Sequence, residues 1–202
     1  QDLSYMFDDA TAFNGEVNNW NTSKVITMTY TFNNARVFNK SVKNWDLSSV
    51  KSTKNMFKSA RAFNNNGDAG INNWDVSGVT DMRYMFYDTD AFNQPINNWV
   101  VSNVANMAFM FQDATAFNQS LNSWDVSEVQ NMQGMFQTTT AFNGNISDWD
   151  ISKVTNISYM FKSATAFNQN ISGWNVSKLS NFTQYGNCLL YTSPSPRDQR
   201  GS

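Results

Sequence analysis

The chain has 202 residues and a formal net charge of −2 at pH 7, with 14 Lys and Arg against 16 Asp and Glu. A hydrophobic content of 41%, with seven Trp and sixteen Phe, is enough for one core in a single domain. The near-neutral charge, with lysines spread between repeats, argues against nucleic acid as a partner, and no apolar run reaches the roughly 18 residues that span a bilayer.

One unit of about 25 residues is repeated along the chain. The interval between tryptophans is 25 residues everywhere except between Trp45 and Trp74, where it is 29. The extra residues lie within Asn64 to Gly70, a Gly- and Asn-rich stretch that predicts a loop at a solvent-facing corner. The repeating tryptophans are Trp20, Trp45, Trp74, Trp99, Trp124, Trp149 and Trp174.

The first element of each unit is a predicted short helix. In the copy that begins at Val79, apolar residues at Met82, Met85 and Phe86 follow the helical spacing of three and four. A serine precedes this segment in every unit, and its hydroxyl is expected to cap the helix. These serines are Ser23, Ser48, Ser77, Ser102, Ser127, Ser152 and Ser177.

An asparagine follows a phenylalanine at the corner after each predicted helix. An amide side chain can pair with backbone groups at such a bend, so the column predicts a buried, structural asparagine ladder. Its members are Asn14, Asn39, Asn64, Asn93, Asn118, Asn143 and Asn168.

A short strand is predicted next, because Ile96, Trp99 and Val101 alternate after a bend as in leucine-rich repeats. The fold class predicted is therefore an α/β repeat solenoid, leucine-rich-repeat-like, with about seven coils that each hold one short parallel strand and one short helix. Stacking of the coils would align equivalent Trp, Val, Phe, Met and Ile side chains in columns. The predicted repeat domain spans residues 1–187.

A column of mostly acidic residues lies between Trp and Val of each predicted strand. Two interpretations are open: repeated carboxylates bind a ligand such as sugar hydroxyls or a cation, or each Asp bonds locally to the Ser two residues later. The local turn is favoured, because it also explains Asn21 and Asn175 in the column, and Val100 argues against a metal stripe. The candidate ligand-binding residues are Asp46, Asp75, Asp125 and Asp150.

Asn-x-Ser/Thr triplets occur along the chain and are acceptor sites for N-glycans in a secreted eukaryotic protein. Those at Asn39 and Asn118 fall in the ladder expected to be buried, where a glycan would not fit. The better candidates, at corners or helix faces, are Asn145, Asn156, Asn170 and Asn181.

The run Trp-Asp-Val-Ser-x-Val-Thr-x-Met-x-x-Met-Phe-x-x-Ala-x-x-Phe-Asn resembles the bacterial surface-protein repeat family, a relative of the BspA-like leucine-rich repeats of surface lipoproteins. The resemblance is strongest over residues 75–93, 125–143 and 150–168. It implies an extracellular or cell-surface protein, often adhesive, and supplies no catalytic residues.

The sequence as a whole therefore predicts a structural or adhesive surface protein and not an enzyme, since it has no His and a single Cys, Cys188. Neither a cofactor nor a metal is expected. Expected partners are other copies in head-to-tail contact, because the first unit has no polar cap, or a surface protein or glycan. The alternative is a monomeric protein- or carbohydrate-binding module.

The last residues, 188–202, share nothing with the repeat. Their sequence LLYTSPSPRDQRGS, from Leu189, resembles translated adapter or vector sequence. We therefore interpret residues 188–202 as a non-repeat tail of artificial origin, the alternative being a flexible extension of the native chain.

Overall fold

A computed structural model describes residues 1–183. Cys188, the predicted tail 188–202 and the last residues of the predicted repeat domain lie outside the described residues. We call a coil the chain from one tryptophan to the residue before the next. Each coil lies on the previous one, and one parallel single-residue bridge joins each pair of neighbours: Asp2–Thr27, Thr27–Ser52, Ser52–Asp81, Asp81–Asn106, Asn106–Asn131, Asn131–Asn156 and Asn156–Asn181.

The predicted α/β solenoid is wrong in its secondary structure. Between residues 1 and 183 the only helices are two short 3-10 helices, Asn65–Gly67 and Ala69–Asn73, and strand pairing is limited to the isolated bridges. Both 3-10 helices lie in or beside the insertion that was predicted to be a loop. The coils are thus built from turns and hydrogen bonds between neighbouring coils, without a leucine-rich-repeat-like strand and helix in each.

The segment predicted to be a helix is a run of turns, because alternate backbone amides of this segment donate to the next coil. The amides of Tyr84 and Phe86 donate to Ala108 O (3.1 Å) and Met110 O (2.9 Å) of the next coil, so they are lost to helical i to i−4 bonding. Tyr84 and Asp88 also adopt the left-handed region, with φ of 57° and 53°. The serines that precede the run therefore cap no helix.

Left-handed residues recur as a pair four residues apart in every described copy of this run. The first members are Tyr5, Tyr30, Asn55, Tyr84, Phe109, Gly134 and Tyr159, and the second are Asp9, Asn34, Ser59, Asp88, Asp113, Thr138 and Ser163.

The predicted strand is likewise a pair of turns. The amide of Trp99 donates back to Ile96 O at 3.2 Å, and the amide of Val104 donates back to Val101 O at 2.9 Å. These bonds bend the chain at both apolar positions, so the residues between them cannot extend a parallel ladder. The parallel bridge lies elsewhere in the coil, at Asp81 and its equivalents.

The predicted columns of Trp and Phe are present and form the core. The ring centroids of Trp99 and Trp124 lie 6.3 Å apart with planes 6° from parallel, and those of Phe86 and Phe111 lie 5.7 Å apart at 9°. Within one coil Phe86 also stacks on Phe92, with centroids 3.9 Å apart. These aromatic rings are fully or almost fully buried and contribute apolar contact between coils.

Each indole N–H of the core is paired across the coil interface. Trp124 Nε1 donates at 2.9 Å to Ile96 O, 28 residues earlier in the chain, which satisfies a donor that would otherwise be buried without a partner. The same bond is made by Trp45, Trp74, Trp99, Trp149 and Trp174.

The coil of residues 45–73 departs from this pattern. Thr53 stands where neighbouring coils have Met28 and Met82, and it is fully buried. Its hydroxyl has no hydrogen-bond partner among the described residues, and neither has the side-chain N–H of Asn55, which is 2% exposed. Buried polar atoms without partners destabilise a fold, so this coil is a weak place in the stack.

Replacing Thr53 with Val should raise the free energy of unfolding by about 1 kcal/mol, because the shape is kept while the unpaired hydroxyl is removed. Thr53→Met, which restores the residue of the neighbouring coils, should stabilise the protein as well. Urea unfolding followed by tryptophan fluorescence measures both changes. A loss of stability in both variants would show that the Thr53 hydroxyl is satisfied in solution.

Candidate functional site

The asparagines of the predicted ladder are joined by a continuous series of hydrogen bonds. In each step the backbone amide of one Asn donates to the Oδ1 atom of the equivalent Asn in the preceding coil, as from Asn118 to Asn93 at 2.9 Å and from Asn143 to Asn118 at 2.8 Å. The other steps run from Asn39 to Asn14, Asn64 to Asn39, Asn93 to Asn64 and Asn168 to Asn143.

This corner is exposed, and not buried as the sequence analysis expected. Asn39 and Asn64 are half-buried, whereas Asn118 and four others are exposed. Glutamines beside the ladder add a second layer of bonds, as where Gln119 Nε2 donates to Asn93 Oδ1 at 2.9 Å. The exposed members are Asn14, Asn93, Asn118, Asn143 and Asn168.

The insertion between Trp45 and Trp74 leaves the ladder unbroken. Asn64 keeps its bonds to both neighbours, with its amide 2.8 Å from Asn39 Oδ1 and its own Oδ1 3.0 Å from the amide of Asn93. The next residue, Asn65, is fully buried, and its Oδ1 accepts from the amide of Val42 at 2.8 Å. The extra residues therefore dock on the stack without shifting its register.

The acidic column lies on the surface along the stack, and its side chains bond locally. Asp125 Oδ1 accepts from the backbone amide of Ser127 at 3.0 Å, and Asp150 Oδ1 accepts from that of Ser152 at 2.9 Å. This is the local turn of the favoured interpretation. Asp46, Asp75, Asn21 and Asn175 make the same bond, and all six side chains belong to exposed residues.

Hydrogen bonds from serine stabilise the charged form of these carboxylates. The hydroxyl of Ser48, and next its amide, lowers the pKa of Asp46 below its ordinary value. The hydroxyl and amide of the following serine lower the pKa of Asp75 and Asp125 in the same way. At Asp150 the amide of Ser152 is the largest cause of the lowered pKa. The column is therefore a row of ionised groups at neutral pH.

Val100 interrupts this row in the coil of residues 99–123 and is 55% exposed. In the described part of the chain, no three His, Cys, Asp or Glu side chains form a group able to hold a metal ion. Ligand binding by the four aspartates remains a prediction.

The four glycosylation candidates differ in accessibility. Asn145 and Asn170 are exposed, and their Oδ1 atoms accept from the amides of Ser147 (2.9 Å) and Ser172 (3.0 Å). Asn181 is exposed as well. Asn156 is half-buried at a bridge position, where its Nδ2 donates to Gln133 Oε1 at 3.3 Å. Asn145 and Asn170 are thus better placed to carry a glycan than Asn156.

Three overlapping segments, residues 1–70, 66–137 and 122–188, match the family described as "Mycoplasma protein of unknown function, DUF285". The chain belongs to this family. The match supports the repeat character and a bacterial repeat family, and it does not single out the BspA-like branch. No curated protein matches the chain. Among the described residues no helix has the length and apolar character needed to cross a membrane.

Replacing Asn118 with Ala should lower the free energy of unfolding by about 0.5 to 1.5 kcal/mol, because the amide of Asn143 loses its acceptor and turns to water. Asn118→Asp keeps an oxygen in that place and serves as the control, with a smaller loss. Urea denaturation at neutral pH compares the two variants. Equal stability of Asn118→Ala and the unmodified chain would show that this step of the ladder contributes nothing.

Proposed function

We propose that this protein is a non-enzymatic structural or adhesive element of the extracellular or cell-surface space. The observation that carries the proposal is the repeated surface of the stack. The same polar groups recur on one side of successive coils, as with Asp125 and Asp150, while the aromatic residues face the core. A surface of this kind offers many equivalent contacts, and multivalent contact suits adhesion better than turnover of a small substrate.

Surface location is supported by the resemblance to bacterial surface-protein repeats, including the BspA-like group. The family match agrees with a bacterial repeat protein and leaves its role open. The alternative function is a monomeric protein- or carbohydrate-binding module. Glycans at Asn145 and Asn170 belong to the proposal only for a host that glycosylates secreted chains.

Head-to-tail contact between copies is the second part of the proposal. Met6 is 49% exposed, whereas the equivalent residues Met56, Met85 and Met110 of later copies are fully buried. Tyr5 beside it is 58% exposed. The apolar edge formed by Tyr5 and Met6 is complementary to the coil surface that covers the equivalent residues elsewhere in the stack. A contact of that kind, repeated from one copy to the next, produces filaments.

The double variant Asp125→Asn, Asp150→Asn tests the acidic column. Asparagine keeps the turn bond, as Asn21 and Asn175 do, and removes the charge. We therefore expect an unchanged melting temperature and lost retention on an array of neutral glycans and extracellular-matrix proteins. The matched double Ala variant should lose retention and also melt earlier. Retention that survives the Asn variant, or an unmodified protein retained by no surface, contradicts an adhesive role of the column.

Self-assembly is tested by sedimentation velocity over a hundredfold range of concentration. The mass should rise with concentration, and negative staining should show long particles. Met6→Glu should reduce this association because it charges the apolar edge, whereas Val37→Glu, at a side position that is 46% exposed, should leave it unchanged. A single monomeric species at every concentration contradicts head-to-tail contact.

A further inference from the structure

The basic residues are gathered in one part of the stack, unlike the even spread assumed in the sequence analysis. Residues 17–67 contain eight of the fourteen Lys and Arg and one acidic residue, Asp46. The rest of the chain is correspondingly acidic, since the net charge of the whole is −2. The eight basic residues are Lys24, Arg36, Lys40, Lys43, Lys51, Lys54, Lys58 and Arg61.

Several of these cations are neutralised by ion pairs. Lys40 pairs with Glu16 at 2.7 Å, Lys43 pairs with Asp68 at 2.8 Å, and Arg61 pairs with Asp88 at 3.1 Å. A side chain in such an ion pair has little uncompensated charge with which to attract a ligand.

Three lysines of the coil of residues 45–73 differ from these. Lys51, Lys54 and Lys58 have no ion-pair partner within residues 1–183, and they follow one another at outward positions three and four residues apart. Lys51 is exposed and the other two are half-buried. Lys51 Nζ lies beside Gly78 of the next coil. The three ammonium groups are therefore not neutralised by a carboxylate of the described residues.

Two tyrosine rings of the next coil border Lys58. Lys58 Nζ lies 5.5 Å from the ring centroid of Tyr87 and 5.9 Å from that of Tyr84. The two rings meet edge to face, with centroids 5.8 Å apart, and both residues are half-buried. We call Lys51, Lys54, Lys58, Tyr84 and Tyr87 the lysine face.

Aromatic rings and lysines can bind different parts of the same ligand. The apolar C–H faces of a sugar ring pack on aromatic side chains, whereas ammonium groups pair with carboxylate or sulfate substituents. A ligand that carries both is an acidic polysaccharide.

Acidic groups flank the lysine face and argue against a denser polyanion. Towards the next coil lie Asp88 and Asp113, whose charges both act on Tyr87, and Asp8 and Asp9 lie two coils away on the other side. A nucleic acid carries a charge every few ångströms and would meet these carboxylates with phosphates. A polysaccharide in which neutral sugars alternate with acidic ones spaces its charges more widely, so its uncharged sugars can pass the flanking aspartates.

We propose that the lysine face binds an acidic polysaccharide. This inference deepens the carbohydrate-binding alternative of the proposed function. It involves neither the acidic column nor the apolar edge at Met6.

The test measures binding of fluorescent hyaluronate oligomers, in which acidic and neutral sugars alternate, to the full chain by polarisation. The triple variant Lys51→Gln, Lys54→Gln, Lys58→Gln should weaken binding at least tenfold, and added salt should weaken binding to the unmodified protein. The matched control Lys40→Gln, Lys153→Gln, Lys178→Gln removes the same charge at other places, two of them ion-paired, and should bind normally. Circular dichroism verifies that both triple variants are folded.

Tyr87→Phe and Tyr87→Ser separate the ring from the hydroxyl. We expect the Phe variant to bind as the unmodified protein does and the Ser variant to bind several-fold more weakly. Equal binding by both would remove the ring from the site and overturn the sugar-stacking part of the proposal.

Competing polymers decide the ligand class. Neutral dextran should not compete, and single-stranded DNA or polyglutamate of equal charge should compete at least tenfold less well than unlabelled hyaluronate. Equal competition by DNA, or unchanged binding by the Lys51, Lys54 and Lys58 triple variant, overturns the proposal. Asp125→Asn, Asp150→Asn should bind hyaluronate normally, so a failure here is distinguishable from a failure of the acidic column.

Discussion

Hydrogen bonding between equivalent backbone positions of successive coils is the constraint on which the structure depends. Alternate amides in the run beginning at Val79 donate to the next coil, and the amides between them close turns within the same coil. Every second backbone amide of this run is therefore hydrogen-bonded to a residue of the next coil. The two left-handed residues of each copy, such as Tyr84 and Asp88, turn the chain so that this alternation is geometrically possible.

Once the coils are held in register, identical side chains necessarily meet. Trp99 stacks on Trp124, Phe86 stacks on Phe111, and Asn118 accepts from Asn143 because each is one repeat from its partner. The aromatic columns exclude water from the centre, and the asparagine ladder and the Asp–Ser turns fix the corners. Stability is therefore distributed along the stack, and an atypical residue such as Thr53 weakens mainly its own pair of interfaces.

The repeat spacing predicted which side chains form columns, but it did not predict the backbone conformation of each coil. The spacing of Met82, Met85 and Phe86 fits a helix, and it equally fits a run of turns that places the same side chains inward. The two are distinguished by the acceptor of each amide, and an acceptor in another coil leaves no local signal. The Asp–Ser turn was predictable because its donor and acceptor are two residues apart. Whether Lys51, Lys54 and Lys58 form ion pairs depends on contacts between coils, and within residues 1–183 they form none.

The insertion near Asn65 has a consequence for how such a chain can diversify. Four added residues leave the stack at one corner and return to it, while Asn64 remains bonded to both neighbouring coils. The number of residues at this corner can therefore change without destabilising the other repeats. The same point offers a natural position for displaying a foreign peptide, and related chains can acquire new recognition loops there while the scaffold beneath stays constant.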